Sequence, residues 1–294
     1  MTQIANAPPV SVPPPSAMLL RRFCRSRTGV IGAVLLLLIV ALVIVLPGLS
    51  SLDPNQIDLT RIEQPPSASH WLGTDELGRD VFIRLWQGGQ VSLLVAFSAM
   101  LLQLVIGSIL GGLAGYFGKW TDMLIMRLTE TVMCFPFYAI AITTAAILGA
   151  SSWNVIIIIG LLNWTGVARL VRAEFLTLRS LDYVDAARVM GIGHRQIILR
   201  HLLPNALPPI SVYATLAVAT GILAEAALSF LGLGVKQPAP SWGNMLSAAQ
   251  NMRVLSNEWW LWLPPGLLVF TLVLSINFIG DALRHALDPQ SGQS

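Results

Sequence analysis

Long apolar runs alternate with shorter polar stretches along this chain. Six of the runs approach the roughly 20 mostly apolar residues that a helix needs to cross a bilayer core. They fall at Thr28–Val45, Val91–Tyr116, about Thr131–Ala150, about Val155–Leu170, about Leu207–Leu231 and about Trp259–Gly280. The first has no polar side chain from Ile31 to Leu46, and no A-x-A-like cleavage site follows it before Pro47. That pattern predicts an uncleaved anchor rather than a signal peptide. The third and fourth runs lie a few residues apart, the fourth broken by Asn163 and Trp164, and predict a helical hairpin. Residues 1–20, rich in Pro, Ala and Ser, predict a disordered tail.

Composition excludes a soluble domain: 54% of the 294 residues are hydrophobic and 11% are charged, against roughly 25% charged in an average soluble protein. The expected fold is therefore an all-α membrane protein, a six-helix bundle occupying residues 28–294 behind a basic tail of residues 1–27. The net charge of +3 matters less than its placement, and no nucleic-acid partner is expected. Six spans put both termini on one side. Arg21, Arg22, Arg25, Arg27, Lys119, Arg127, Arg169, Arg172, Arg179, Arg188, Arg195, Arg200 and Arg284 then share a side, against Arg61, Arg79, Arg84, Lys236 and Arg253. Cytoplasmic flanks collect Lys and Arg, so this asymmetry predicts cytoplasmic termini and an external segment at residues 50–90. Cys24 and Cys134 form no ligand set and read as inert thiols.

The longest polar segment on the basic side is residues 171–204, too polar to span and too patterned for a featureless loop. Asp182 is placed to cap a short helix over Tyr183–Met190, with small Ala186 and Ala187 inside it. Gly191 and Gly193 break that helix, and a second helix, Arg195–Leu203, leads to a stop or kink at Pro204. Two readings stay open on pattern alone: a helix that sits in a groove of another protein, or one lying on acidic lipid headgroups.

At this segment a resemblance becomes specific. Asp185-Ala186-Ala187, three residues, Gly191, nine residues to His201, then Leu203-Pro204 resembles the EAA loop of binding-protein-dependent ABC importer permeases. Asp185 stands for the usual Glu, and His201 for the usual Ile. Further matches resemble the dipeptide, oligopeptide and nickel permease subfamily: Gly73-Thr74-Asp75 to Gly78-Arg79-Asp80-Val81, Met126-Arg127 with Glu130 and Pro136, Glu225 to Gly234, Pro240-Ser241-Trp242-Gly243, and Gly280 to Arg284. The resemblance covers residues 20 to 290. It implies a bacterial inner-membrane permease of the type I importer kind, pairing with a second homologous permease, two ABC ATPase subunits and an extracytoplasmic solute-binding protein. Tyr183, Asp185, Ala186, Ala187, Gly191, Leu203 and Pro204 would form the coupling contact.

The chain carries only two lysines, Lys119 followed by Trp120 and Lys236 followed by Gln237. Neither completes the Gly-x4-Gly-Lys-[Ser/Thr] loop that cradles nucleotide phosphates. ATP and magnesium are thus expected on partner subunits, with no cofactor or metal in this chain. His70, His194, His201 and His285 form no zinc motif, and no GxSxG elbow exists, so no enzyme is expected.

Charged groups inside the bilayer are costly and usually face protein or an aqueous path. Glu225, Asn163 and Gln103 are therefore candidates for the substrate pathway. For Glu225 the alternative is an interhelical hydrogen bond fixing the outer ends of the spans. Asp281 and Arg284 have the spacing of an ion pair. Gly107, Gly111 and Gly115 share a helix face and predict close approach of a neighbour. On the external side Asp75, Arg79 and Asp80 are candidate docking residues for the binding protein. Together with Glu76 they are also placed to cap a short surface helix whose Phe82, Leu85 and Trp86 dip into the interface. Trp242, Trp259, Trp260 and Trp262 predict an aromatic belt. A secondary transporter or an ATPase-free scaffold is the rival class; the halves show no repeat of the kind the former would need.

Overall fold

The structure, a computed structural model, describes residues 22–50 and 53–287. The tail expected to be disordered lies outside the described residues. Ten helices follow in order: α1 Arg27–Leu49, α2 Val81–Phe117, α3 Lys119–Met133, α4 Phe137–Leu148, α5 Ser152–Leu178, α6 Asp182–Val189, α7 His194–Phe230, α8 Trp242–Leu246, α9 Met252–Asn257 and α10 Trp259–Leu287. Among the described residues the one β pairing is a bridge between Thr74 and Asp80.

Five helices, α1, α2, α5, α7 and α10, are long and apolar enough to cross a membrane. The expected third span is not one straight helix. It is the pair α3 and α4, bent by 80° at the break between them. Pro136 lies in that break and lacks the N–H that would continue the helix. α4 alone has 12 residues, about 18 Å of rise, too short for a bilayer core. The pair nevertheless makes one crossing. Gly118, where α3 begins, lies against Arg179 at the end of α5, whereas Leu148 and Gly149, where α4 ends, accept hydrogen bonds from Asn154 at the start of α5. The chain thus passes from one end of α5 to the other, and counting this pair as one span gives up to six candidate crossings among the described residues.

The start of α1 lies beside the end of α10: Arg22 Nη1 donates to Ala286 O at 3.5 Å, and a Cβ on Gly29 would meet Ala282. Both chain ends therefore leave the same end of the bundle, the arginine-rich one.

Glycine sets the central contact. A Cβ on Gly111 would stand 2.3 Å from the Ala168 carbonyl oxygen, and Gly107 and Gly115 meet Val167 and Phe175 in the same way. Helix α2 therefore lies backbone-close on α5, as the four-residue glycine spacing predicts. Close backbone packing compensates for the absence of a hydrophobic driving force between helices in lipid.

Three expectations at the far end are corrected. The surface helix expected near Phe82–Trp86 is the first part of α2, which begins at Val81 because Asp80 Oδ1 accepts the Ile83 N–H at 3.0 Å. Leu85 and Trp86 belong to the apolar core rather than the interface. Trp242 is not in an aromatic belt: it is fully buried, and its indole Nε1 donates to Leu85 O at 2.8 Å, so its one polar group is satisfied inside the protein. Trp260 is also buried, while Trp259 is exposed. At the arginine-rich end, no ion pair forms between Asp281 and Arg284 among the described residues; the Asp281 carbonyl pairs with His285 Nδ1 at 2.7 Å instead.

Candidate functional site

Helix α6 and the turn after it project from the arginine-rich end. Val184 and Ala187, three residues apart, form its buried stripe and join Phe175, Ile197, Leu202 and Ala206 in one apolar cluster. The helix starts at Asp182 itself; Leu181 is its N-cap and no side chain caps it. The capping role expected of Asp182 is therefore corrected: its carboxylate sits in the first turn, where negative charge favours the helix dipole.

The C-terminus is built more firmly. Gly191 has φ +74°, Gly191 N–H donates to Arg188 O at 3.0 Å, and Ile192 N–H donates to Ala187 O at 3.1 Å. This paired arrangement is the Schellman motif, and it needs a residue comfortable in the left-handed region. Its consequence is a sharp turn that leaves Val189 89% and Met190 72% exposed. Two adjacent apolar side chains thus point away from the bundle with nothing over them. Tyr183 and Ala186 lie on the exposed side as well. Asp185 is exposed and pairs with Arg188 at 2.8 Å.

The projecting loop is tied to the bundle through named contacts. Tyr116 at the end of α2 hydrogen-bonds His194 Nδ1 at 2.7 Å, and the Arg188 guanidinium lies 5.7 Å from the Tyr116 ring centroid. Arg179 Nη1 donates to the Gly115 and Tyr116 carbonyls at 2.9 and 3.2 Å, placing a cation on the C-terminus of α2. Arg172 binds Asp122 through two hydrogen bonds, one of 2.7 Å, and so holds the base of α3 to α5.

Pro204 neither stops nor breaks the chain. The second short helix runs unbroken into the fifth span, as α7, through a π-helical turn at Ile198–Leu202 in which Leu203 N–H bonds Ile198 O five residues back. The wider turn relieves the clash that a proline ring makes with the carbonyl four residues earlier. His201 lies beside the Tyr183 ring, centroids 6.3 Å apart. Leu203 is half-buried and Pro204 exposed.

The candidate pathway residues are not brought to one open path. Gln103 and Glu225 are buried, and Asn163 is half-buried. Glu225 accepts from Ser92 Oγ at 2.8 Å and Ser229 Oγ at 2.7 Å, and Ser92 Oγ in turn accepts the Trp242 N–H at 3.1 Å. This network ties α2, α7 and α8 together, which is the arrangement of an interhelical anchor.

The candidate external residues are largely occupied within the chain. Asp80 bonds His70 at 2.8 Å, and Asp75 accepts from Arg79 Nε at 2.7 Å. Arg79 and Asp80 are buried, so they hold residues 53–80 onto the start of α2. At the same end lies a cavity of about 370 Å³, lined in part by Asp75 and Arg79 of the Gly73–Val81 motif.

Comparison with known proteins agrees with these observations. A family model described as a binding-protein-dependent transport system inner membrane component matches residues 103–292. A second, the N-terminal TM domain of oligopeptide transport permease C, matches residues 15–66. The chain is 44% identical over 277 residues to a putative peptide permease protein of Brucella suis, covering 94% of this chain and 92% of that protein. It is 39% identical over 294 residues to the dipeptide transport system permease protein DppC of Alkalihalophilus pseudofirmus, covering 99% and 96%. It is 38% identical over 271 residues to the glutathione transport system permease protein GsiD of Pectobacterium atrosepticum, covering 92% and 89%. Among solved structures, an inward-facing MetNI methionine ABC transporter chain aligns with a TM-score of 0.52 at 21% identity, over 70% of this chain and 97% of that one, a likeness of fold.

Proposed function

The chain belongs to the family of binding-protein-dependent transport system inner membrane components and is a permease subunit of an ABC importer, and from that premise we propose that α6 and its following turn are where an ATPase subunit docks. The observation that carries this reading is the exposed Val189–Met190 pair on a loop fixed to α2, α5 and α7. A lipid-surface helix would turn its apolar face to the membrane; here the apolar stripe Val184–Ala187 is already used inside the protein, and the exposed pair projects from the bundle end. The arginine-rich end then faces the cytoplasm, in keeping with the distribution of Lys and Arg. ATP and magnesium belong to the docked subunits, since neither lysine of this chain sits in a phosphate loop.

The same reading assigns short peptides as cargo, because the relatives' names specify peptide, dipeptide and glutathione, itself a tripeptide. A second, similar permease completes the pathway, and a solute-binding protein delivers cargo at the far end. Docking is tested by reconstituting the permease pair with its ATPases and binding protein in proteoliposomes. Gly191→Val and Asp185→Arg are expected to lower ATPase retention and dipeptide uptake together; unchanged association and uptake would sink the docking assignment. Sidedness is tested with a Cys134→Ser chain, in which Cys24, exposed beside α1, is expected to resist an impermeant maleimide in intact spheroplasts and to react after lysis.

A further inference from the structure

The cavity at the far end has a composition that the docking loop and the bundle do not explain. It lies between the segment leading into α2, the stretch from Gln237 through α9, and the start of α10. Its volume of about 370 Å³ falls within the usual range for small-molecule sites. Its lining sorts into three chemistries.

One wall carries two guanidiniums. Arg79 and Arg84 are 4% and 3% exposed, and they share a single close carboxylate, Asp75, at 2.7 Å from Arg79 Nε and 3.5 Å from Arg84 Nε. Arg84 spends its remaining donors on the Pro54 and Pro238 carbonyls. Arg79 has only a long 3.4 Å contact from Nη1 to Gln237, and its Nη2 makes no hydrogen bond among the described residues. Nη2 is not among the fully buried polar atoms that lack a partner, so this donor keeps access to the cavity. Arg79 lines the cavity, where an anion would satisfy the remaining donor.

The rim carries the opposite charge. Glu63 is engaged by Arg253, but Glu76 forms no ion pair among the described residues and is exposed at the cavity. The third surface is apolar, contributed by Val81, Met245, Ala248, Val254 and Leu261. One open guanidinium donor on Arg79, the exposed carboxylate of Glu76 and an apolar floor are the complement of a zwitterion with an apolar side chain.

We propose that this cavity is a binding subsite, within the permease itself, for a short peptide. The peptide's terminal carboxylate sits on Arg79, its ammonium group at Glu76, and a side chain on the floor near Ala248. The assignment rests on the peptide reading of the cargo. It adds a site where cargo rests on the permease outside the helix bundle, on the face where a binding protein would release it.

The test uses the reconstituted permease–ATPase complex in nanodiscs without its binding protein, titrated calorimetrically with the dipeptide Ala-Leu. Saturable binding is expected. N-acetyl-Ala-Leu and Ala-Leu amide, each lacking one terminal charge, are expected to bind about tenfold more weakly, the loss of one charge-assisted contact. Ala248→Phe fills the floor and is expected to weaken Ala-Leu by at least that factor. Glu76→Gln, at an exposed position, is expected to weaken Ala-Leu while leaving N-acetyl-Ala-Leu unchanged. No saturable binding to the wild type, or equal affinity for wild type and Ala248→Phe, overturns the subsite. Parallel Ala-Leu uptake with the binding protein separates the two failures: uptake without direct binding removes the subsite alone, and absence of both removes the peptide reading as well. If the wild-type titration is flat and Ala248→Phe abolishes ATPase stimulation by the binding protein, the cavity receives that protein instead and the proposal falls.

Discussion

Trimming Val189 and Met190 to alanine separates docking from folding. Val189→Ala removes about two methylene equivalents and Met190→Ala about three, each worth about 0.8 kcal/mol when taken out of water. Scaled by exposures of 89% and 72%, the apolar area that a partner can newly cover corresponds to about 1.4 and about 1.7 kcal/mol. The double variant should therefore lose about 3 kcal/mol of docking free energy, roughly two orders of magnitude in affinity. Its own stability should change by less than about 0.5 kcal/mol, because surface positions without packing partners rarely contribute more. Surface plasmon resonance of the ATPase subunit on nanodisc-held permease measures the first quantity, and thermal unfolding in detergent the second. An affinity within twofold of wild type would refute the argument, since the exposed pair would then remain in water on docking. A large drop in melting temperature would refute it differently, by showing that the pair is folded against the chain.

Three further outcomes follow from specific contacts. Gly111→Ala places a methyl group 2.3 Å from the Ala168 oxygen and should destabilise the bundle by about 1–3 kcal/mol, as overpacking does, whereas Gly48→Ala, with nothing within 4 Å, should be neutral or stabilising in the same melt. Tyr116→Phe removes the hydrogen bond to His194; a loss of about 0.5–1.5 kcal/mol is expected, with ATPase affinity retained and peptide moved per ATP reduced, and an unaltered transport ratio would show that this link carries no motion. Burial, and then the neighbouring Glu63, push the Glu258 carboxyl above its ordinary value, with Arg253 opposing. An acid whose folded pKa is raised stabilises the fold below its unfolded value near 4.5 and loses that contribution as pH rises through the folded value. The melting temperature of Glu258→Gln minus that of wild type should therefore increase as pH rises above about 4.5, and a difference independent of pH would show that Glu258 ionises as freely as in the unfolded chain.

The crossings were legible because bilayer thickness imposes a length on every apolar run, and the glycine spacing in α2 because a repeat of four places residues on one helix face. The end of α6 was legible through Gly191, whose positive φ the C-cap requires. What escaped depends on contacts between distant segments. Trp242 reads as interfacial until Leu85 O is found to accept its N–H. Phe82–Trp86 reads as a separate surface helix because Arg84 interrupts the apolar run, yet Arg84 is buried with Asp75 and backbone carbonyls as partners. In sequence Val189 and Met190 are two ordinary apolar residues at the end of a helix. Met190 continues the three-residue spacing of Val184 and Ala187, and its exposure comes from the turn at Gly191 rather than from helix periodicity. The far-end cavity is assembled from residues 63–84 and 237–261, and no local pattern joins two such segments.

The unequal attachment of the helices constrains how a force at the docking loop travels. α6 shares an apolar cluster with α5 and α7, its Arg188 lies over the Tyr116 ring at the end of α2, and Arg179 and His194, which flank it, bind the same end. A displacement of α6 therefore carries α2, α5 and α7 with it, since packed interiors move as bodies rather than deform. α3 is attached differently: Thr129 is its one buried residue, the Arg172–Asp122 pair holds its base, and an 80° break separates it from α4. Its Arg127–Glu130 pair is 78% and 63% exposed, and an exposed charged pair on this helix favours protein or water over hydrocarbon as its neighbour. A second permease, with a path between the two subunits, would supply such a neighbour. Motion imposed at the docking loop would then reach the path as a shift of the α2–α5–α7 body against α3, with the break before α4 as the point where the two can part.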